Sequence, residues 1–290
     1  MPSDSTTIIK CFNSKLPDLG VSPNIKYTSV SSSSATTKNA KPAKVYIYEP
    51  ADLLVERADE FLSKTEVSGG HINEAQTFEA YPEIKLSNEA GVVAGSWGYI
   101  ILPLIAALRL SYPDQFEVGI EDNHIEAYVD EAGIQKTIVR SDLVFRRLAT
   151  NARPGKIIAI IEYKRREVIR YRDYDKAIRP STTTRAQANK ETATMKPEDT
   201  KLIGNAMTHG KQVCTYAAIA ECKHVALFNW DHLLLFKFYL LEPDMKKTAG
   251  PHANITWVTE GGPLQGMMED RYIRKVLLGW LLMAFKDAFD

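Results

Sequence analysis

The chain has 290 residues, 44% apolar and 25% charged, with 36 basic and 36 acidic residues and a formal net charge of zero. These are ordinary values for a soluble globular protein able to bury a substantial core. The balance excludes nucleic-acid binding driven by overall charge, though not binding through a local basic groove.

Three cysteines, Cys11, Cys214 and Cys222, are an odd number at spacings that fit neither a disulfide framework nor a zinc site. Cys214 and Cys222 lie in or beside an apolar stretch, where reduced thiols are common. The N-terminus is polar, carries Asp4 and has no secretory pattern. A reducing intracellular compartment, cytoplasmic or nuclear, is the expectation.

In chain order, the first 20 residues hold a few apolar positions, Ile8, Ile9, Phe12 and Leu16, and residues 21–44 are Ser/Thr-rich with little to bury. Residues 1–44 are therefore expected to be a mostly disordered arm, and 45–290 a folded domain. Leu53, Leu54, Ala58, Phe61 and Leu62 recur at helical spacing over 51–64, followed by a loop with Gly69 and Gly70. A long helix is expected from Ser87 to about Leu110, capped by Ser87 or Asn88, with Glu89 in its first turn and Pro103 as a kink or break. Its apolar run, Tyr99 to Leu108, falls short of the roughly 20 residues that span a bilayer and is expected to be buried, with no membrane partner.

Strands are expected at His124–Val129, at Thr137–Leu148, where Leu143 and Phe145 alternate with Asp142 and Val144, and at Lys156–Tyr163. The last, KIIAIIEY, is continuously apolar, the pattern of a central strand covered on both faces. Residues 176–200 show no apolar period and are expected to form a mobile insertion. A helix from about Leu202 to Ala220 follows, then strands at His224–Asn229 and Leu233–Leu240 around a Trp230-Asp231 turn, then a helix from about Asp270 to Phe289. The order, helix, three strands, helix, two strands, helix, points to a mixed α/β or α+β sheet sandwich.

Chemistry concentrates at the end of the most apolar strand. Residues two apart on a strand share a face, so Glu162 and Lys164 project together and Tyr163 projects away. Charges emerging from a buried strand are rare unless paired or metal-bound. If the preceding strand pairs with this one, Asp142 lies opposite Glu162, and two adjacent carboxylates repel unless a divalent cation joins them.

Asp142 followed, after 19 intervening residues, by Glu162-Tyr163-Lys164 resembles the signature of the PD-(D/E)xK nuclease superfamily, with Ser141 where proline is expected. Gln212 and Tyr216 form a QxxxY pair on one face of the next helix, similar to the RecB-like branch, and Asn205 and His209 extend that stripe. The resemblance covers roughly residues 85–240. It implies an α/β restriction-endonuclease-like core, αβββαβ, with a central mixed sheet flanked by helices. It implies metal-dependent hydrolysis of phosphodiester bonds, more often in DNA than in RNA. Asp142, Glu162 and the Tyr163 carbonyl would hold Mg²⁺ or Mn²⁺, with Glu89 as the further glutamate of the leading helix. Lys164 would orient or help deprotonate the attacking water and stabilise phosphate charge, and Gln212 and Tyr216 would position substrate or Lys164.

A basic run follows at once. Arg165, Arg166, Arg170 and Arg172, with Tyr171 and Tyr174 interleaved, are candidates for tracking a phosphate backbone and stacking bases. Glu167, Asp173 and Asp175 dilute the run, so a solvated surface is its other reading. Two alternatives to an active nuclease stand beside it. One is a catalytically inactive nuclease-fold module gripping nucleic acid or protein. The other is an unrelated metabolic or structural α/β protein with Asp142 and Glu162 far apart. The oligomeric state is left open.

Overall fold

The computed structural model describes residues 8–19, 27–29, 40–67, 86–130, 133–196, 199–239 and 250–290. The protein is α/β, with a mixed central sheet flanked by helices. The strands are β1 (Val45–Tyr48), β2 (Phe116–Asp130), β3 (Gly133–Arg147), β4 (Lys156–Tyr163), β5 (Ile178–Arg179), β6 (His224–Phe228), β7 (His232–Phe238), β8 (His252–Thr259) and β9 (Glu269–Asp270). The helices are α1 (Ile8–Phe12), α2 (Asp52–Val67), α3 (Glu89–Ser96), α4 (Leu102–Ser111), α5 (Arg185–Ala193), α6 (Gly204–Ile219) and α7 (Ile273–Phe289).

Among the described residues the sheet order is β2-β3-β4-β6-β7-β8-β1-β5, with β9 on β8. β2, β3 and β4 form an antiparallel meander. The chain then crosses through α6 and returns as β6, parallel to β4. β7 and β8 continue antiparallel, and β1 adds parallel to β8.

The two-residue period of each strand divides the core. Leu143, Phe145, Ala159, Ile161 and Tyr163 face α2, α3, α4 and α7, while Val144 and Ile160 face α6 with Val213, Cys214 and Tyr216. β4 is apolar throughout because both of its faces are covered. This division decides where the chemistry lies: Asp142, Glu162 and Lys164 share the parity of Val144 and Ile160, and so belong to the α6 face.

Asn88 caps α3, its side chain accepting from Gly91 N at 2.8 Å, and Glu89 begins the first turn. A π turn, Trp97–Ile101, joins α3 to α4, and the Leu102 N–H bonds back to Trp97 O. Pro103 lacks an N–H and crowds the preceding turn; the widened turn ahead of it lets the helix continue. The resulting Glu89–Ser111 helix of 23 residues is long and apolar enough to cross a membrane by length and composition, more than the shorter run suggested. In the fold its Val92, Tyr99, Ile100, Leu104 and Leu108 are buried in the shared core.

Several expectations change. The N-terminal arm is in part docked structure: α1 buries Cys11 and Phe12, Leu19 is buried, and Arg274 donates to Ser14 O at 2.8 Å and Lys15 O at 2.9 Å. Residues 176–196 are built of regular pieces in place of a mobile insertion. Ile178–Arg179 pairs with β1, and α5 opens on a Thr184/Gln187 capping box. Arg179 and Glu191 then pair across the segment, and Ala188 is buried. Strands β1 and β8, absent from the expected order, complete the sheet. The Gly69-Gly70 loop lies outside the described residues.

Candidate active site

The β3–β4 register pairs Leu143 with Ile161 and Val144 with Ile160. One further step places Asp142 beside Glu162, and the Tyr163 N–H donates to Asp142 Oδ2 at 2.8 Å. On the other side of β4, Glu162 pairs with Leu227 and the Lys164 N–H donates to Phe228 O at 2.8 Å. Glu162 and Lys164 therefore sit at the carboxyl end of a central strand, fixed from both sides.

Both are buried, Glu162 at 3% and Lys164 at 6% exposure, so they must satisfy each other. Lys164 Nζ donates to Glu162 Oε1 at 2.6 Å. From α6, Gln212 Nε2 donates to the same Glu162 Oε1 at 2.6 Å and to the Tyr216 hydroxyl at 2.7 Å. Glu162 Oε2 is buried without a hydrogen bond. It is a bare carboxylate oxygen in an interior where such groups are normally paired.

The electrostatics agree with close packing. Burial, then the neighbouring Glu162, pushes the Asp142 carboxyl up to about 7. Glu89 is also raised, first by burial; Lys164 and Arg165 lower it and Asp142 raises it, which brings the α3 N-terminus into the same field. Burial disfavours the Lys164 ammonium, but Glu162, Glu89 and Asp142 together outweigh it and hold the pKa above its ordinary value. Burial and Glu162 raise Tyr216, which stays protonated. His209, on the same helix face, is held down to about 3 by burial and by Lys164; its Nδ1 lies 3.2 Å from the Tyr174 hydroxyl.

Asp142, Glu162, Lys164, Gln212 and Tyr216 thus converge, with Glu89 reaching them electrostatically. The Tyr163 ring packs in the opposite core, as the strand period requires. The basic run divides. Arg166 is held by Asp231, with Nε donating to Oδ2 at 2.9 Å, and spans the turn between β6 and β7. Arg172 is mostly exposed, 4.0 Å from Asp173. Arg165 and Arg170 contact Thr28 and Tyr27, residues that the sequence placed in a flexible arm. Asn205 is a fastening residue, donating to Val168 O at 3.0 Å and so fixing the loop after β4 to α6. A cleft of about 630 Å³ opens farther along the same sheet rim, bordered by Arg170, Tyr171, Arg172, His232 and Gln265.

The Asp142 and Glu162 carboxylates are a hard-oxygen donor set of the kind that Mg²⁺ and Mn²⁺ accept while keeping waters. The bare Glu162 oxygen and the raised Asp142 fit that set. Among the described residues no three His, Cys, Asp or Glu side chains are grouped to hold a metal. Glu89 shares the field of the cluster without completing a three-ligand group.

Compared with known proteins, the chain matches no protein-family model and no curated protein sequence.

Proposed function

We propose that the protein is a divalent-metal-dependent nuclease of the PD-(D/E)xK type with a restriction-endonuclease-like core. The observation that carries this reading is the convergence of Asp142, Glu162 and Lys164 at one strand end, with Gln212 and Tyr216 over them. The order of elements supports it: a leading helix, the β2–β3–β4 meander, α6, then β6 beside β4.

Asp142 and Glu162, with the Tyr163 carbonyl, would hold Mg²⁺ or Mn²⁺. The metal would supply Lewis acidity and an acidified water for phosphodiester hydrolysis. Gln212 and Lys164 fix Glu162 through one oxygen, leaving the other for the ion. Lys164, its pKa held up by three carboxylates, enters as an ammonium and stabilises charge on the phosphate oxygens; this favours an electrostatic role over proton abstraction. Protonated Tyr216 anchors Gln212. DNA is the preferred substrate in this reading and RNA the second.

Titrating Mg²⁺ and Mn²⁺ into the protein with labelled DNA and RNA tests it. Hydrolysis that depends on metal and disappears in Glu162→Gln supports the enzyme. The alternative is a module that binds without cutting; wild-type binding without hydrolysis at any metal concentration would establish that alternative.

A further inference from the structure

The basic loop after β4 is already engaged by the chain itself. The Arg170 guanidinium lies 3.3 Å from the centroid of the Tyr27 ring. Arg165 Nη2 donates to the Thr28 hydroxyl. Asn205, at the start of α6, donates to the Thr28 carbonyl at 3.1 Å, and the Tyr27 hydroxyl donates to Asp173 Oδ2 at 3.4 Å. Two consecutive residues, Tyr27 and Thr28, thus bridge the loop that follows Lys164 and the helix that carries Gln212.

These partners are the groups a nucleic-acid strand uses. A guanidinium plane receives an aromatic or base face, and a second guanidinium receives an oxygen. Arg165 directly follows Lys164 and so borders the cluster. Arg170 borders the 630 Å³ cleft with Tyr171 and His232. His232 begins β7, two strands along the rim from β4, about 10 Å at ordinary strand spacing. Asp173 disfavours a phosphate beside Arg170 and accepts a hydrogen bond there from a donor, as it does from the Tyr27 hydroxyl.

We propose that Arg165 and Arg170 form a subsite for one unpaired nucleotide of the substrate strand, phosphate on Arg165 and base on Arg170, and that Thr28 and Tyr27 occupy it until the strand displaces them. The inference rests on the nuclease reading and adds to it a substrate class and a self-occluding segment. An unpaired base is required because a duplex covers both faces of each base, whereas stacking on Arg170 needs one face open.

The test compares wild type with Tyr27→Ala/Thr28→Val, a pair at a partly exposed segment whose loss leaves the core intact; equal melting temperatures check this. Anisotropy titrations use a labelled 15-nucleotide single strand and the matching duplex with Ca²⁺ present, and Mn²⁺-dependent cleavage is read in parallel. The expected result is single-strand binding about tenfold tighter in the double variant, the scale of one lost competing stack, with duplex binding unchanged and the gain abolished by adding Arg170→Ala. Single-strand binding that is unchanged or weaker in the double variant overturns the occlusion. Equal tightening for single strand and duplex overturns the unpaired-nucleotide subsite. If wild type cleaves while either contrary result holds, the inference fails and the nuclease reading stands; if neither protein binds nor cleaves, both fail.

Discussion

The Gln212 side chain donates to Glu162 Oε1 at 2.6 Å, joining helix α6 to the end of strand β4. The same amide nitrogen reaches the Tyr216 hydroxyl at 2.7 Å, so one turn of α6 sets the direction of the central carboxylate. Gln212→Ala is expected to lower kcat for metal-dependent cleavage by about 10- to 100-fold, the scale seen when a group orienting a metal ligand is removed. Tyr216→Phe should have a smaller effect in the same direction. Steady-state kinetics with metal titration checks both: apparent metal affinity should weaken alongside kcat, while the melting temperature in chelator stays near that of wild type.

Asp142 is held near Glu162 at a cost in the metal-free protein. Its carboxyl is raised to about 7 from 3.8. The folded state therefore binds the proton more tightly than the unfolded chain, and the unfavourable contribution grows as pH rises from about 3.8 to about 7 and is fully present above that. In chelator at about pH 8, Asp142→Asn should stabilise the fold by about 1–3 kcal/mol, less than the full shift because the side chain keeps some solvent contact. The gain should shrink as pH falls from about 7 and vanish below 3.8, where the wild-type carboxyl is protonated in both states. Denaturant melts across pH measure this, and the same variant should lose cleavage.

His209 acts in the opposite sense. Burial and Lys164 lower it to about 3 from 6.5, so the folded state excludes a proton that the unfolded chain accepts. Stability is fully present above 6.5 and is lost as pH falls toward 3. His209→Asn should flatten the fall in unfolding free energy between about pH 6.5 and 4.5 by about 2 kcal/mol, relative to wild type. An unaltered slope would show that His209 is not neutral and buried at the Tyr174 contact.

Much of the site was legible in the sequence because strands and helices impose fixed periods. A period of two put Glu162 and Lys164 on one face, and a period near 3.6 put Gln212 and Tyr216 on another; packing α6 over β4 then joined them. The apolar length of β4 exposed its central place. What stayed hidden depends on contacts distant in sequence. Val45–Tyr48 is too short to announce a strand, and it is one only because β8 lies beside it. The alternation of Ala253, Ile255 and Trp257 carries a strand signal, weak beside the continuous apolar run of β4. Thr184-Arg185-Ala186-Gln187 held a capping box without an apolar stripe, because α5 buries little beyond Ala188 and Thr192. Nothing in a Ser/Thr-rich arm reveals that Tyr27 will find Arg170.

Helix α7 supplies a check on the packing of the other layer. A Cβ at Gly279 would lie 1.8 Å from the Leu54 carbonyl oxygen of α2, a backbone atom that cannot move alone. Gly279→Ala should therefore destabilise the protein by about 1–3 kcal/mol or more, although alanine favours helices. Chemical denaturation gives the value; a neutral or stabilising result would contradict the close approach of α2 and α7.

The most direct measurement is anomalous diffraction from crystals soaked in Mn²⁺. The account predicts one strong peak bounded by carboxylate oxygens of Asp142 and Glu162, at about 2.2 Å as for hard cations on oxygen, and no peak in Asp142→Asn crystals. A cluster that takes up no Mn²⁺ at saturating concentration, with Lys164 still closing on Glu162, would contradict it.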